Sequence, residues 1–189
     1  IQRRKALIID LLRMGTEEQL ADYGVEVIAG RGRLADAGTV VAGERTLKPG
    51  KVIIATGSVS GTLPVEGGDL PGVLSTREAV NLGEIPARIG VVGTKPWEIE
   101  LAQYFNAMGS RVTLVTEEAR LLPEADREIS QRLAKVLHDS GVEVRRGAKV
   151  TAIREHENDG LALTLDDGAS VVVERVLASP RFPNSTGIG

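Results

Sequence analysis

Six consecutive residues, Gly93-Thr94-Lys95-Pro96-Trp97-Glu98, stand where residue type and spacing can do chemistry. They close the apolar run RIGVVG (88–93) and open the helical pattern PWEIELAQYFNAMG, which RVTLVT (111–116) follows. A strand–turn–helix–strand unit of this kind is the context that a dinucleotide fingerprint requires. In that fingerprint the first glycine allows a tight turn. The second lets the backbone approach a pyrophosphate, and the third lets helix and strand pack closely. The free N–H groups and positive dipole of the helix N-terminus then face the phosphates. Gly93 supplies the first glycine, whereas Lys95 and Glu98 occupy the second and third positions. A Cβ at 95 crowds the pyrophosphate. A carboxylate at 98 either sits where the helix presses on the sheet or faces the anionic ligand. Lys95 also offers phosphates a point charge in place of backbone contacts. Thr116 holds the strand end where a ribose-binding acid is expected, and Glu117 follows one place later. Taken alone, the stretch is either a nucleotide loop with altered contacts or a Rossmann-like unit that no longer holds a cofactor.

The elements around this loop are legible from periodicity. Pro96 suits the first helical position, and Gly109 suits a C-terminal stop. Trp97, Leu101, Phe105 and Met108 share a helical stripe, read as core packing. A second helix is expected from LLPEADREISQRLAKVLHDSG, with Ile129, Leu133, Val136 and Leu137 on its apolar face and Gly141 closing it. VEVRRG, KVTAIREHE, LALTLDD and SVVVERVLAS are four further strand candidates, and Asp166-Asp167-Gly168 is a hairpin turn. The run 150–177 therefore predicts an antiparallel meander attached to a parallel sheet. Before residue 60 the pattern predicts a helix with Leu7, Ile8, Leu11 and Leu12 on one face. A strand at VEVIAG (25–30), a hairpin through GTVVAGERTL and a buried strand at KVIIATGS (51–58) follow. GTLPVEGGDLPG (61–72) is rich in Gly and Pro and reads as a connection. Strands alternating with helices make this an α/β protein with a parallel sheet core.

Composition narrows the function classes. The net charge of −3 argues against nucleic acid as a partner, because binding it requires a basic face. With no cysteine, the stretch holds no disulfide framework, Cys-based zinc site or thiol redox chemistry. The two histidines, His138 and His156, lack metal-ligand spacing and read as surface or packing residues. No stretch approaches the roughly 20 apolar residues that span a bilayer, so no membrane role is expected. The opening IQRRKALIIDLLRMG lacks a small-residue cleavage site and is interrupted by Asp10 and Arg13, which argues against a signal peptide. A cytoplasmic location is expected.

Several segments then occur in one order: KVIIATGS, an LP-x-x-G stretch, LSTREAVNLGEIPARIGVVG, a helix with Glu100, GSRVTLV, RLLPEADREIS, GVEVRRGAKV and VLASPRFPNSTGIG. This series resembles the pyridine nucleotide–disulfide oxidoreductases, the group of dihydrolipoamide dehydrogenase and mercuric reductase, over nearly the whole chain. The resemblance implies a Rossmann-like NAD(P)-binding domain over 76–189, a parallel sheet plus an antiparallel meander. Part of an FAD-binding domain with its connection precedes it, over 1–75. It implies that Ala55, Thr56 and Gly57 pass close to FAD. It also implies that Gly93, Thr94, Lys95, Pro96 and Trp97 line the NAD(P) phosphate loop, with Thr116 and Glu117 at the ribose. Glu100 matches a glutamate near nicotinamide and flavin. Arg181, Pro183 and Asn184 match the end of the family's GR-x-PN segment, with Pro180 replacing its glycine. The intact protein is then expected to use FAD and NAD or NADP and to form a homodimer.

The family's N-terminal FAD fingerprint, redox cysteine pair and C-terminal domain with its catalytic histidine have no counterparts among these residues. The chain thus reads as the middle of such an enzyme, unable by itself to run disulfide chemistry. Two functions follow. One is a fragment of an enzyme passing hydride from NAD(P)H to flavin and on to a disulfide or other acceptor. The other is a degenerate, non-catalytic module kept for assembly or protein contact.

Overall fold

The computed structural model describes residues 1–157 and 160–189. The chain divides into two compact units, Ile1–Val59 with Pro183–Gly189, and Ser60–Phe182.

In the first unit, helix α1 (Gln2–Asp22) has no buried residue. The stripe of Leu7, Ile8, Leu11 and Leu12 is helical as expected but is exposed among the described residues. Strands β1 (Gly32–Asp36), β2 (Thr39–Ala42) and β3 (Arg45–Leu47) form an antiparallel meander, as the hairpin pattern predicts. The segments 25–30 and 51–57, by contrast, form no strand. Ile53 and Ile54 are 89% and 57% exposed rather than buried. An apolar run becomes a strand only when another strand satisfies its N–H and C=O groups. Among the described residues none pairs with these two. The chain passes between the units at β4 (Ser58–Ser60) and again near its end.

The second unit is layered. Its parallel sheet comprises β5 (Val73–Leu74), β6 (Arg88–Val92), β7 (Arg111–Thr116), β8 (Glu143–Arg146) and a late strand described below. Between these strands lie the one-turn helix α2 (Thr76–Ala79), α3 (Pro96–Ala107) and α4 (Arg127–Asp139). β9 (Val150–His156), β10 (Gly160–Leu165) and β11 (Ser170–Val173) form an antiparallel meander with Leu163 opposite both Ile153 and Val171. Its β10–β11 turn falls at Asp166-Asp167-Gly168. Gly168 takes φ +82° there, and the Asp167 carboxylate accepts from Ala169 N.

The expected continuous strand 170–179 is two strands, β11 and β12 (Arg175–Ala178). β12 leaves the meander and pairs parallel with both β5 and β6. Glu174 makes the break. Its N–H donates to Arg88 O, and its carboxylate accepts from Ala87 N at 2.7 Å and lies 3.7 Å from the Arg88 guanidinium. The final strand, β13 (Arg181–Pro183), follows at once.

Pleat alternation places the sheet between two cores. Ile89, Val91, Val112, Leu114 and Leu177 pack with Phe105 and Leu137 from the helices; Val115, Val176 and Ala178 pack with Ile153, Leu161, Leu163 and Val173 of the meander. Burial on both faces accounts for the apolar runs in the strands. Two helix faces are rotated from the expected stripes. In α3 the buried side is Ile99, Ala102 and Phe105, while Met108 is 38% exposed. In α4 it is Ser130 and Leu137 with Leu133 and Ala134 packed beside them, leaving Ile129 and Val136 outside. An amphipathic stripe wide enough to include a flanking β-branched residue does not say which edge meets the core.

Candidate functional site

From β6 the chain steps outward to β7 and β8, whereas β12 and β5 lie on the other side of β6. Strand order therefore reverses between β6 and β12. In open α/β sheets ligands bind beyond the carboxyl ends of the strands at such a reversal. A cavity of 530 Å³ opens there, lined by residues 92–95 after β6, 115–118 at the end of β7 and 179–181 after β12. Residues 63–65 and 148–150 complete its walls, with Trp97 and Glu98 from α3. Its volume lies in the range of about 300–1,000 Å³ typical of small-ligand sites.

The loop at the mouth of α3 is built around Glu98. The N-cap is Lys95, whose side chain has no oxygen with which to accept from the first helical N–H groups, and Pro96 follows without an N–H. Glu98, third in the helix, reaches back so that its Oε2 accepts from Lys95 N at 2.8 Å. This is the returning half of a capping box. Its carboxylate also fills the space beside Gly93. A Cβ placed at that glycine would meet Glu98 Oε1 at 2.7 Å, with Oε2 and Cδ nearer still. Gly93 adopts φ +127°, a conformation that side-chain-bearing residues rarely take. The carboxylate thus neither presses on the sheet nor lies free in solvent; it turns into the loop and is 5% exposed.

Burial is the largest influence on Glu98 and pushes its carboxyl above the usual glutamate range. The Lys95 N–H, the Trp97 indole and the Lys95 charge act in the opposite direction. The Trp97 Nε1 is buried and, among the described residues, makes no hydrogen bond of normal geometry. The Arg181 guanidinium lies over the same indole, 5.7 Å from the ring centroid, within cation–π range. Neighbouring contacts hold the rest of the loop. Gly93 N donates to Val115 O at 2.9 Å. The hydroxyl of buried Thr94 accepts from Leu122 N at 3.0 Å. Thr116, also buried, accepts on Oγ1 from Glu118 N at 3.1 Å, so its hydroxyl serves the turn after β7. The Lys95 Nζ–Glu124 pair, 3.5 Å apart, is exposed on both sides and contributes about 0–1 kcal/mol.

Of the residues singled out in the sequence, Gly93, Thr94, Lys95, Trp97, Thr116, Glu117 and Arg181 all line this cavity. Pro96 and Glu100 are exposed on α3 and do not line it. Ala55, Thr56 and Gly57 belong to the first unit. There Asn184 donates from its backbone N to Gly57 O at 2.9 Å and from Nδ2 to Thr56 O at 3.3 Å. Pattern reading did not assign residues 63–65 and 148–150 to the site. The first lie in a stretch that reads as a connection and the second at the start of a strand, and neither carries a chemical signature. Among the described residues no group of three or more His, Asp or Glu is placed to hold a metal ion, and no helix is long and apolar enough to cross a membrane.

The family model for pyridine nucleotide-disulphide oxidoreductases matches residues 5–183. The chain belongs to that family. It is 29% identical to the probable pyridine nucleotide-disulfide oxidoreductase RclA of Escherichia coli over 98% of the chain, and 32% identical to a dihydrolipoyl dehydrogenase of Bacillus subtilis over all of it. A mercuric reductase of Lysinibacillus sphaericus is 27% identical over all of the chain. The solved structure of the Cu(II) complex of E. coli RclA, a flavoprotein disulfide reductase induced by HOCl, superimposes with a TM-score of 0.87 over 98% of the chain, at 29% identity. The chain spans 43%, 44% and 35% of the lengths of RclA, the dehydrogenase and the mercuric reductase, respectively. The α/β fold expected from the motif series is the fold found.

Proposed function

We propose that the chain is the central piece of an FAD-dependent oxidoreductase that passes hydride from NAD(P)H to flavin and on to a disulfide or other acceptor, with residues 76–189 as its pyridine-nucleotide domain. The observation that carries this reading is the cavity beyond β6, β7 and β12, set at the reversal of strand order and lined by seven of the residues singled out for cofactor binding. The bound cofactors supply the hydride chemistry; the protein's part is to seat and orient them. Glu117, exposed at the end of β7, is the acid available to a ribose hydroxyl, while the buried Thr116 hydroxyl is occupied. The loop itself does not fit a pyrophosphate, because Glu98 fills the cradle beside Gly93. Ala55, Thr56 and Gly57 at FAD, Glu100 at the nicotinamide and a homodimeric assembly belong to the same proposal for the intact protein.

The filled cradle favours a second reading, a Rossmann-like module that has lost NAD(P) and serves assembly or protein contact. The absorption spectrum of the purified full-length protein separates the two. A flavin spectrum bleached by NADH or NADPH supports the oxidoreductase. A colourless protein unresponsive to both supports the module.

A further inference from the structure

The lining of the cavity combines two chemistries. Its walls are apolar at Leu63, Val92, Val115, Ala148 and Val150, and the Trp97 indole carries Arg181 over its face. The loop at Gly93 is different. There the N–H of Lys95, at the mouth of α3, already donates to Glu98 Oε2 at 2.8 Å. The room that glycine leaves at 93 is taken by the same carboxylate. A helix N-terminus attracts one anion, and here the chain supplies its own. A second anion must displace Glu98 or sit beside a like charge from which buried surroundings screen it poorly.

We propose that Glu98 is a built-in occupant of the phosphate cradle, so that the cavity selects neutral, phosphate-free ligands of nucleoside size over phosphate-bearing ones. This rests on the second reading above, a Rossmann-like module that has lost NAD(P), with the cavity kept as a nucleotide-class site. It assigns Glu98 as the residue that sets specificity there. The apolar walls and indole take a planar ring, and exposed Glu117 accepts from sugar hydroxyls. The loop that ordinarily grips phosphate is closed from within.

Trp97 is the only tryptophan of the chain and lines the cavity, so its emission reports occupancy directly. The 189-residue chain and its Glu98→Gly and Glu98→Gln variants are titrated with adenosine, NADH and inorganic pyrophosphate. Glu98→Gln keeps an oxygen that can accept from Lys95 N but removes the charge. It therefore stands in should Glu98→Gly fail to fold, as judged by circular dichroism. The expected result is saturable adenosine binding by all three proteins, within about threefold of one another. NADH binds at least about tenfold more tightly to the variants than to the unaltered chain. Pyrophosphate acts on Trp97 emission only in the variants. Unaltered chain that binds NADH or pyrophosphate as tightly as both variants overturns the proposal while leaving the site assignment intact. Three folded proteins that respond to neither adenosine nor NADH overturn the proposal and the nucleotide reading together.

Discussion

Replacing Gly93 by alanine tests the geometry of the loop independently of any ligand. Two costs follow. Backbone at φ +127° is nearly closed to residues with a Cβ, and holding alanine there costs about 1–3 kcal/mol. The new Cβ also falls on the Glu98 carboxylate, with Oε1 the farthest of its three atoms at 2.7 Å, so the carboxylate must leave and Lys95 N loses its acceptor. Loss of an N-terminal cap costs about 0.5–2 kcal/mol. Gly93→Ala should therefore destabilise the Ser60–Phe182 unit by about 1.5–5 kcal/mol. Urea denaturation followed by Trp97 emission measures it. The same substitution made on Glu98→Gly should cost about 0.5–2 kcal/mol less, because only the backbone part remains, and a double-mutant cycle reads that coupling. A loss below about 1 kcal/mol, or an equal loss in both backgrounds, refutes the packing of Glu98 against Gly93.

Other expectations concern charge and core. Because burial raises the folded-state pKa of Glu98, the folded chain binds its proton more readily than the unfolded chain. The stabilisation from this residue is thus complete below the unfolded glutamate pKa of about 4.3 and declines as pH rises through the folded value. Denaturation midpoints across that window should fall with pH more steeply for the unaltered chain than for Glu98→Gln; parallel curves would contradict the burial. Phe105 is fully buried between α3 and the sheet, and Phe105→Ala should cost about 3–5 kcal/mol in the same denaturation assay. Lys95→Ala removes the exposed pair with Glu124 and the side-chain charge near Glu98 but keeps the backbone N–H that Glu98 accepts from, and should change stability by less than about 1 kcal/mol. Glu174→Ala removes the acceptor for Ala87 N and the Arg88 pair, and a loss of about 1–3 kcal/mol is expected from calorimetry or urea titration.

The α/β core could be read from the sequence because its signals are local and mutually consistent. Apolar runs buried on both faces, a proline at the entry of α3 and the Asp-Asp-Gly turn each depend on near neighbours. The ordered motifs identified the family for the same reason. Tertiary structure decided whatever depends on a partner. The segments 51–57 and 25–30 are as strand-like in sequence as β6, yet among the described residues no strand pairs with them and neither forms one. The stretch 170–179 reads as a single strand, but the Glu174 contacts to Ala87 and Arg88 divide it and send β12 into the parallel sheet, where it makes the strand reversal on which the cavity depends. Composition and spacing reveal that Lys95 and Glu98 replace glycines. Only the fold sets the direction of the Glu98 side chain, because a lysine N-cap leaves a backbone donor unsatisfied and the missing Cβ of Gly93 leaves room for a carboxylate to reach it.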